Sequence, residues 1–195
     1  METVTPYTVR LEPGDIVLTR SSSWLSHLIC LFTRTVGEPP SRVSHSELVA
    51  DPGTVTTAAV ISADREGAVL RTILPHHEGN WVEIYRPILS DAWKRRAVAR
   101  AGWMLGSKYP VWRLLAHLAD WLLGLGLVDL YLFRRAFRSG RVMECSYLVA
   151  YAYEPYLAFW KPTPAITPDD LEDGCRRGER FRLVLPLTRL ERREP

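Results

Sequence analysis

Cysteine is scarce in this chain, with residues at 30, 145 and 175 only, an odd number at irregular spacing. That excludes a disulfide framework, and the absence of any C-x-x-C pair removes the commonest zinc signature, so no metal or other cofactor is expected. Lysine is scarcer than the charge balance suggests: Lys94, Lys108 and Lys161 are the exceptions among 25 basic residues. The arginines pair at 95–96, 134–135, 176–177 and 192–193, but no basic block interleaves with aromatics, and the net charge of +3 is mild. Nucleic acid is therefore not an expected partner. The start, Met1–Pro6, lacks a basic segment followed by an apolar one, so no secretory signal is read and a reducing, cytoplasmic compartment is expected. Internal repeats and low-complexity linkers are absent too. One domain is expected over 1–195, with its core at about 11–187 and a charged, frayed tail at 188–195.

An uninterrupted membrane span is also lacking. The most apolar stretch, Val111–Phe133 within a helical segment at 111–137, is broken by Arg113, His117, Asp120 and Asp129, and Gly124 and Gly126 would bend any helix through it. Two amphipathic helices are expected there, with peripheral contact to lipid or an acyl chain through 111–133 as the open alternative.

What is present reads as strands followed by helices. The turn Pro13-Gly14-Asp15 launches a short buried strand, Ile16–Thr19. Ser21–Ser23 offer caps for a helix from Trp24 to Phe32, in which Cys30 is a packing residue and His27 a boundary histidine. Strands at 44–50, 58–63 and 68–73 are separated by turn-sized gaps, which favours an antiparallel meander, and Trp81–Arg86 alternates cleanly as a further strand. Ser90-Asp91 caps a helix that ends near Gly106. Thr167–Leu171 reads as a single capped turn with proline at its first position, and Phe181–Leu185 as a last strand.

Chemistry concentrates at two places. Cys145 opens a run with apolar residues at Leu148, Val149 and Ala152, which is helical spacing. A cysteine in a first helical turn faces outward-pointing N–H groups and the positive end of the dipole, which favours the thiolate. A buried core thiol is the competing reading of that stretch. A hundred residues upstream, His45 lies on the 44–50 strand, where alternation puts Glu47 on its face and Ser46 and Leu48 on the other. Cys175 reads as a surface thiol in a loop without a histidine nearby. His76-His77-Glu78 looks like a ligand cluster, but successive loop residues seldom converge on one metal.

The ordered set of pieces resembles a known family. Gly14-Asp15-Ile16 opening a strand, Ser44-His45 on a later strand, and Val60-Ile61-Ser62-Ala63 followed by Gly67-Ala68-Val69 form its first part. Gly106 before Tyr109, and Glu144-Cys145-Ser146-Tyr147-Leu148-Val149, complete it. This resembles the circularly permuted branch of the NlpC-type, papain-like cysteine hydrolases, close to the YiiX-like group and more distantly lecithin retinol acyltransferase. The resemblance implies a papain-like α+β fold, an antiparallel sheet packed against helices with the nucleophile at a helix N-terminus. It implies Cys145 as nucleophile and His45 as general base, acting on an amide, ester or thioester of a peptide or acylated small molecule. The third polar group of the family falls at Ser62, where a YiiX-like protein would often have glutamate. Glu47 is the substitute carboxylate. A non-catalytic binding module of the same fold and a peripheral membrane protein are the two other expectations the sequence leaves standing.

Overall fold

Ile16-Val17-Leu18 are apolar at three successive positions, and the strand they open, β1 (Ile16–Arg20), is buried on both faces. A computed structural model describes residues 5–33, 39–64, 66–108, 123, 145–157, 163, 166–177 and 179–191. Among these residues the chain forms a mixed α/β unit with one six-stranded antiparallel sheet and five helices. After β1 come α1 (Trp24–Phe32), β2 (His45–Asp51), β3 (Ala59–Asp64), β4 (Gly67–Thr72), α2 (Ile73–His77) and β5 (Trp81–Pro87). Then follow α3 (Asp91–Gly102), α4 (Cys145–Tyr153), α5 (Pro168–Arg176) and β6 (Phe181–Arg189). The sheet order is β4-β3-β2-β1-β5-β6, so β2, β3 and β4 form the expected meander.

Strand register sorts the core into two clusters. Ile16, Leu18, Leu48, Ile61 and Tyr85 point to the face covered by α3, α4 and α5. Val17, Val49, Val60, Val82, Ile84 and Leu185 point to the other, where Leu11, Val55 and Ile73 join them. α4 is apolar nearly all round, with Leu148, Val149, Ala150, Ala152 and Tyr153 fully buried, as befits a helix wedged between the sheet and its neighbours.

The Gly14-Asp15 turn earns its place in the motif physically. Gly14 has φ 91°, in the left-handed region, and an added Cβ would lie 2.9 Å from both Lys94 Cβ and the Tyr153 hydroxyl. Tyr153 donates a hydrogen bond to the Gly14 carbonyl, tying α4 to the start of β1. Asp15, fully buried, accepts from Arg86 Nε at 2.8 Å and Nη2 at 2.7 Å, while the Glu12 N–H donates to it at 2.8 Å. Removing one partner of such a pair strands the other charge in the interior. Arg86→Met is expected to cost about 3–5 kcal/mol of stability, read by urea denaturation.

Three expectations need correction. Thr167–Leu171 is not a single turn: a capping box, with Thr167 Oγ1 accepting from the Asp170 N–H and Asp170 Oδ2 from the Thr167 N–H, starts a nine-residue helix that runs to Arg176. Cys175 therefore lies on α5, 2 % exposed, and not in a surface loop. Burial pushes its thiol well above the usual range, which makes it inert. The tail does not fray from 188: β6 continues through Arg189, paired with Trp81, and Leu190 is fully buried. The two helices expected at 111–137, and Tyr109, lie outside the described residues apart from Leu123. Among the described residues no helix is long and apolar enough to cross a membrane.

Candidate active site

Alternation alone would separate the two residues on which a catalytic reading depends. His45 and Glu47 point, with Val17 and Ile84, to the sheet face opposite the one on which α4 lies against β2. They meet because each begins its element. His45 is the first residue of β2 and Cys145 the first of α4, and at that end of the sheet their side chains hydrogen-bond.

The imidazole is held from behind. His45 Nε2 lies 3.0 Å from Ser62 Oγ and 3.3 Å from Glu47 Oε1. Ser62 reaches this point because β3 pairs it with Glu47 across the sheet, on the same face. Both positions singled out for the third polar group thus converge on one nitrogen. Glu47 and Ser62 are fully buried, whereas the His45 side chain is 21 % exposed and Cys145 is 8 % exposed.

Electrostatics follows from that packing. Burial pushes His45 down, but the negative charge of the Cys145 thiolate, the hydrogen bond to it and the Glu47 carboxylate outweigh this and raise it to about 10. The coupling is mutual, so the imidazolium favours the thiolate. Burial pushes Glu47 up, yet the positive charge that His77 carries when protonated, and the contacts with His45 and His77, hold it well below the usual carboxylate range. Glu47 is therefore an anion in the interior, flanked by two imidazoles.

His77 is the participant that sequence reasoning missed. It belongs to α2 and not to a loop, is 4 % exposed, and sets Nε2 2.9 Å from Glu47 Oε2. Two consecutive histidines bounded by a proline and a glutamate were the available signal, but their relation to Glu47 exists only once β4 and α2 fold back over β2. Cys30 is buried in α1 with its thiol against the Val43 carbonyl, and His27 is exposed; neither approaches the Cys145 group. One strand away, a concavity of about 350 Å³ is lined by Arg20, Ser21, Ser22, His27, Trp81 and Leu187. It opens where β1 ends, at the Arg20–Trp81 pair.

Set against protein-family models, curated proteins and solved structures, the chain matches none. The case for a function accordingly rests on the geometry of Cys145, His45, Glu47 and Ser62.

Proposed function

We propose that this protein is a cysteine hydrolase of the permuted NlpC-type, papain-like kind, cleaving an amide, ester or thioester. The observation that supports it is the hydrogen bond between Cys145, at a helix start, and a His45 anchored by Glu47 and Ser62. With Nε2 engaged by that pair, Nδ1 is the nitrogen left to face the sulfur.

In this reading the thiolate attacks the substrate carbonyl carbon, forming a C–S bond while the carbonyl oxygen takes up the negative charge. N–H groups at the start of α4, that of Cys145 included, would serve as donors to that oxyanion. The His45 imidazolium gives its proton to the departing amine, alcohol or thiol as the tetrahedral intermediate collapses to an acyl-thioester. Neutral His45 then takes a proton from water as the hydroxide adds to the acyl carbon. The sulfur leaves as thiolate and the free acid is released. Glu47 supplies what a serine at position 62 cannot, a negative charge that stabilises the imidazolium, and Ser62 adds a neutral hydrogen bond that fixes the ring.

The test is covalent. Brief exposure to activated esters, thioesters and anilides, followed by acid quench and mass spectrometry, is expected to yield an acyl adduct on Cys145 that disappears with time in water. No adduct on Cys145 with any of the three probe classes defeats the enzyme reading and favours a binding module.

A further inference from the structure

Behind His45, on the far side of Glu47, a second group of donors converges. One carboxylate oxygen of Glu47, one nitrogen of His76 and one of His77 lie within 4.8 Å of one another. Glu47 is fully buried and His77 4 % exposed, and Glu47 Oε2 and His77 Nε2 lie 2.9 Å apart as a close pair whose geometry falls short of a well-aligned hydrogen bond. Two donor atoms this close but poorly aligned for a hydrogen bond with each other can serve a shared third atom.

We infer that Glu47, His76 and His77 form a binding site for a divalent transition ion of the zinc class. Two imidazoles and one carboxylate are a donor set that zinc takes, whereas magnesium and calcium prefer oxygen ligands. Zinc held at about 2.0–2.1 Å from tetrahedrally placed donors sets them about 3.3 Å apart. The Glu47–His77 pair is already inside that spacing, and His76 would close the remainder by a side-chain rotation. His76 is also the way in, since its side chain is 29 % exposed while the other two ligands are walled off. Water completes the set, because Asp64, 3.9 Å from His76 Nε2, is already held at 2.8 Å by Arg71 Nη2. The fold supplies the convergence. α2 is only five residues long, and it sets its two C-terminal histidines against the buried carboxylate of Glu47 on β2. An ion there would pin α2 to the sheet and fix Glu47 through Oε2, leaving Oε1 toward His45.

This inference does not depend on the hydrolase reading, and its test is built to be separate. The full-length chain carrying Cys145→Ser, which removes a thiolate able to bind zinc itself, is stripped with chelator and titrated with zinc chloride by calorimetry, with the unfolding temperature recorded in parallel. Binding of one equivalent and a rise in unfolding temperature are expected. Adding His76→Ala, at a partly exposed position where truncation spares the fold, is expected to weaken zinc about 10–100-fold, and His77→Gln at least as much. Magnesium chloride is expected to leave the unfolding temperature unchanged. No zinc binding in the Cys145→Ser chain, or binding whose affinity neither histidine substitution alters, overturns the inference.

Discussion

On the proposed hydrolase mechanism, Cys145→Ala is expected to lower acyl-substrate turnover by about 10⁴-fold or more, with the fold intact. The loss is large because nothing else in the described site can replace the sulfur. Cys30 is packed in α1, Cys175 is sealed inside α5 with its thiol pushed up by burial, and Ser62 faces the wrong side of the imidazole. The structural cost is small, since removing one sulfur atom at the open end of α4 leaves Leu148, Val149 and Tyr153 in place. A circular dichroism spectrum and urea midpoint like those of wild type, together with lost activity, are the expected pair of results. Activity retained in a well-folded Cys145→Ala chain would move the chemistry elsewhere.

Glu47→Gln comes second in size and decides which residue supplies the charge behind His45. The substitution keeps the shape and removes the anion. A loss of about 10²–10⁴-fold in kcat/KM is expected, because a neutral amide neither stabilises the imidazolium nor enforces its orientation. Ser62→Ala deletes one neutral hydrogen bond, worth about 1 kcal/mol, and is expected to cost only roughly fivefold. The pH profile, measured with chelator present, separates charge from shape. The ionisable groups against His45 are Cys145 from α4 and Glu47 from its own strand, with His77 of α2 behind Glu47. Cys145 and Glu47 both raise His45, so the imidazolium of the wild type persists until about pH 10. Activity that needs the protonated ring is present below that value and lost above it. Without the Glu47 charge the alkaline fall moves downward in Glu47→Gln, and it stays near the wild-type position in Ser62→Ala. Equal effects of the two substitutions would assign Glu47 a merely structural part.

Much of this was legible in the residues, for identifiable reasons. Continuous apolar runs with turn residues between them marked β1 and the β2–β3–β4 meander, and the Ser44–Leu48 alternation put His45 and Glu47 on one face. Helical spacing after Cys145 marked α4. The misses share a cause: they depend on what a segment packs against. Asp170 reaching back to the Thr167 N–H turned an expected single turn into α5 and buried Cys175. Pro75 sits within α2, where propensity argues for a loop, and the helix forms because Ile73 is buried against the second sheet face. His77 consequently reaches Glu47, which no spacing rule relates to it. Strand alternation, taken alone, also pointed the wrong way for the dyad. Only the coincidence of two element starts brings Cys145 to His45.

The most direct measurement is the rate of Cys145 alkylation by iodoacetamide as a function of pH, assigned by mass spectrometry, in the wild type and in His45→Ala. A thiolate paired with imidazolium predicts fast modification far below the ordinary thiol value of about 8.5, with a return to about 8.5 once the histidine is gone. A wild-type curve that already rises near 8.5 and does not change in His45→Ala would show that sulfur and ring ignore each other.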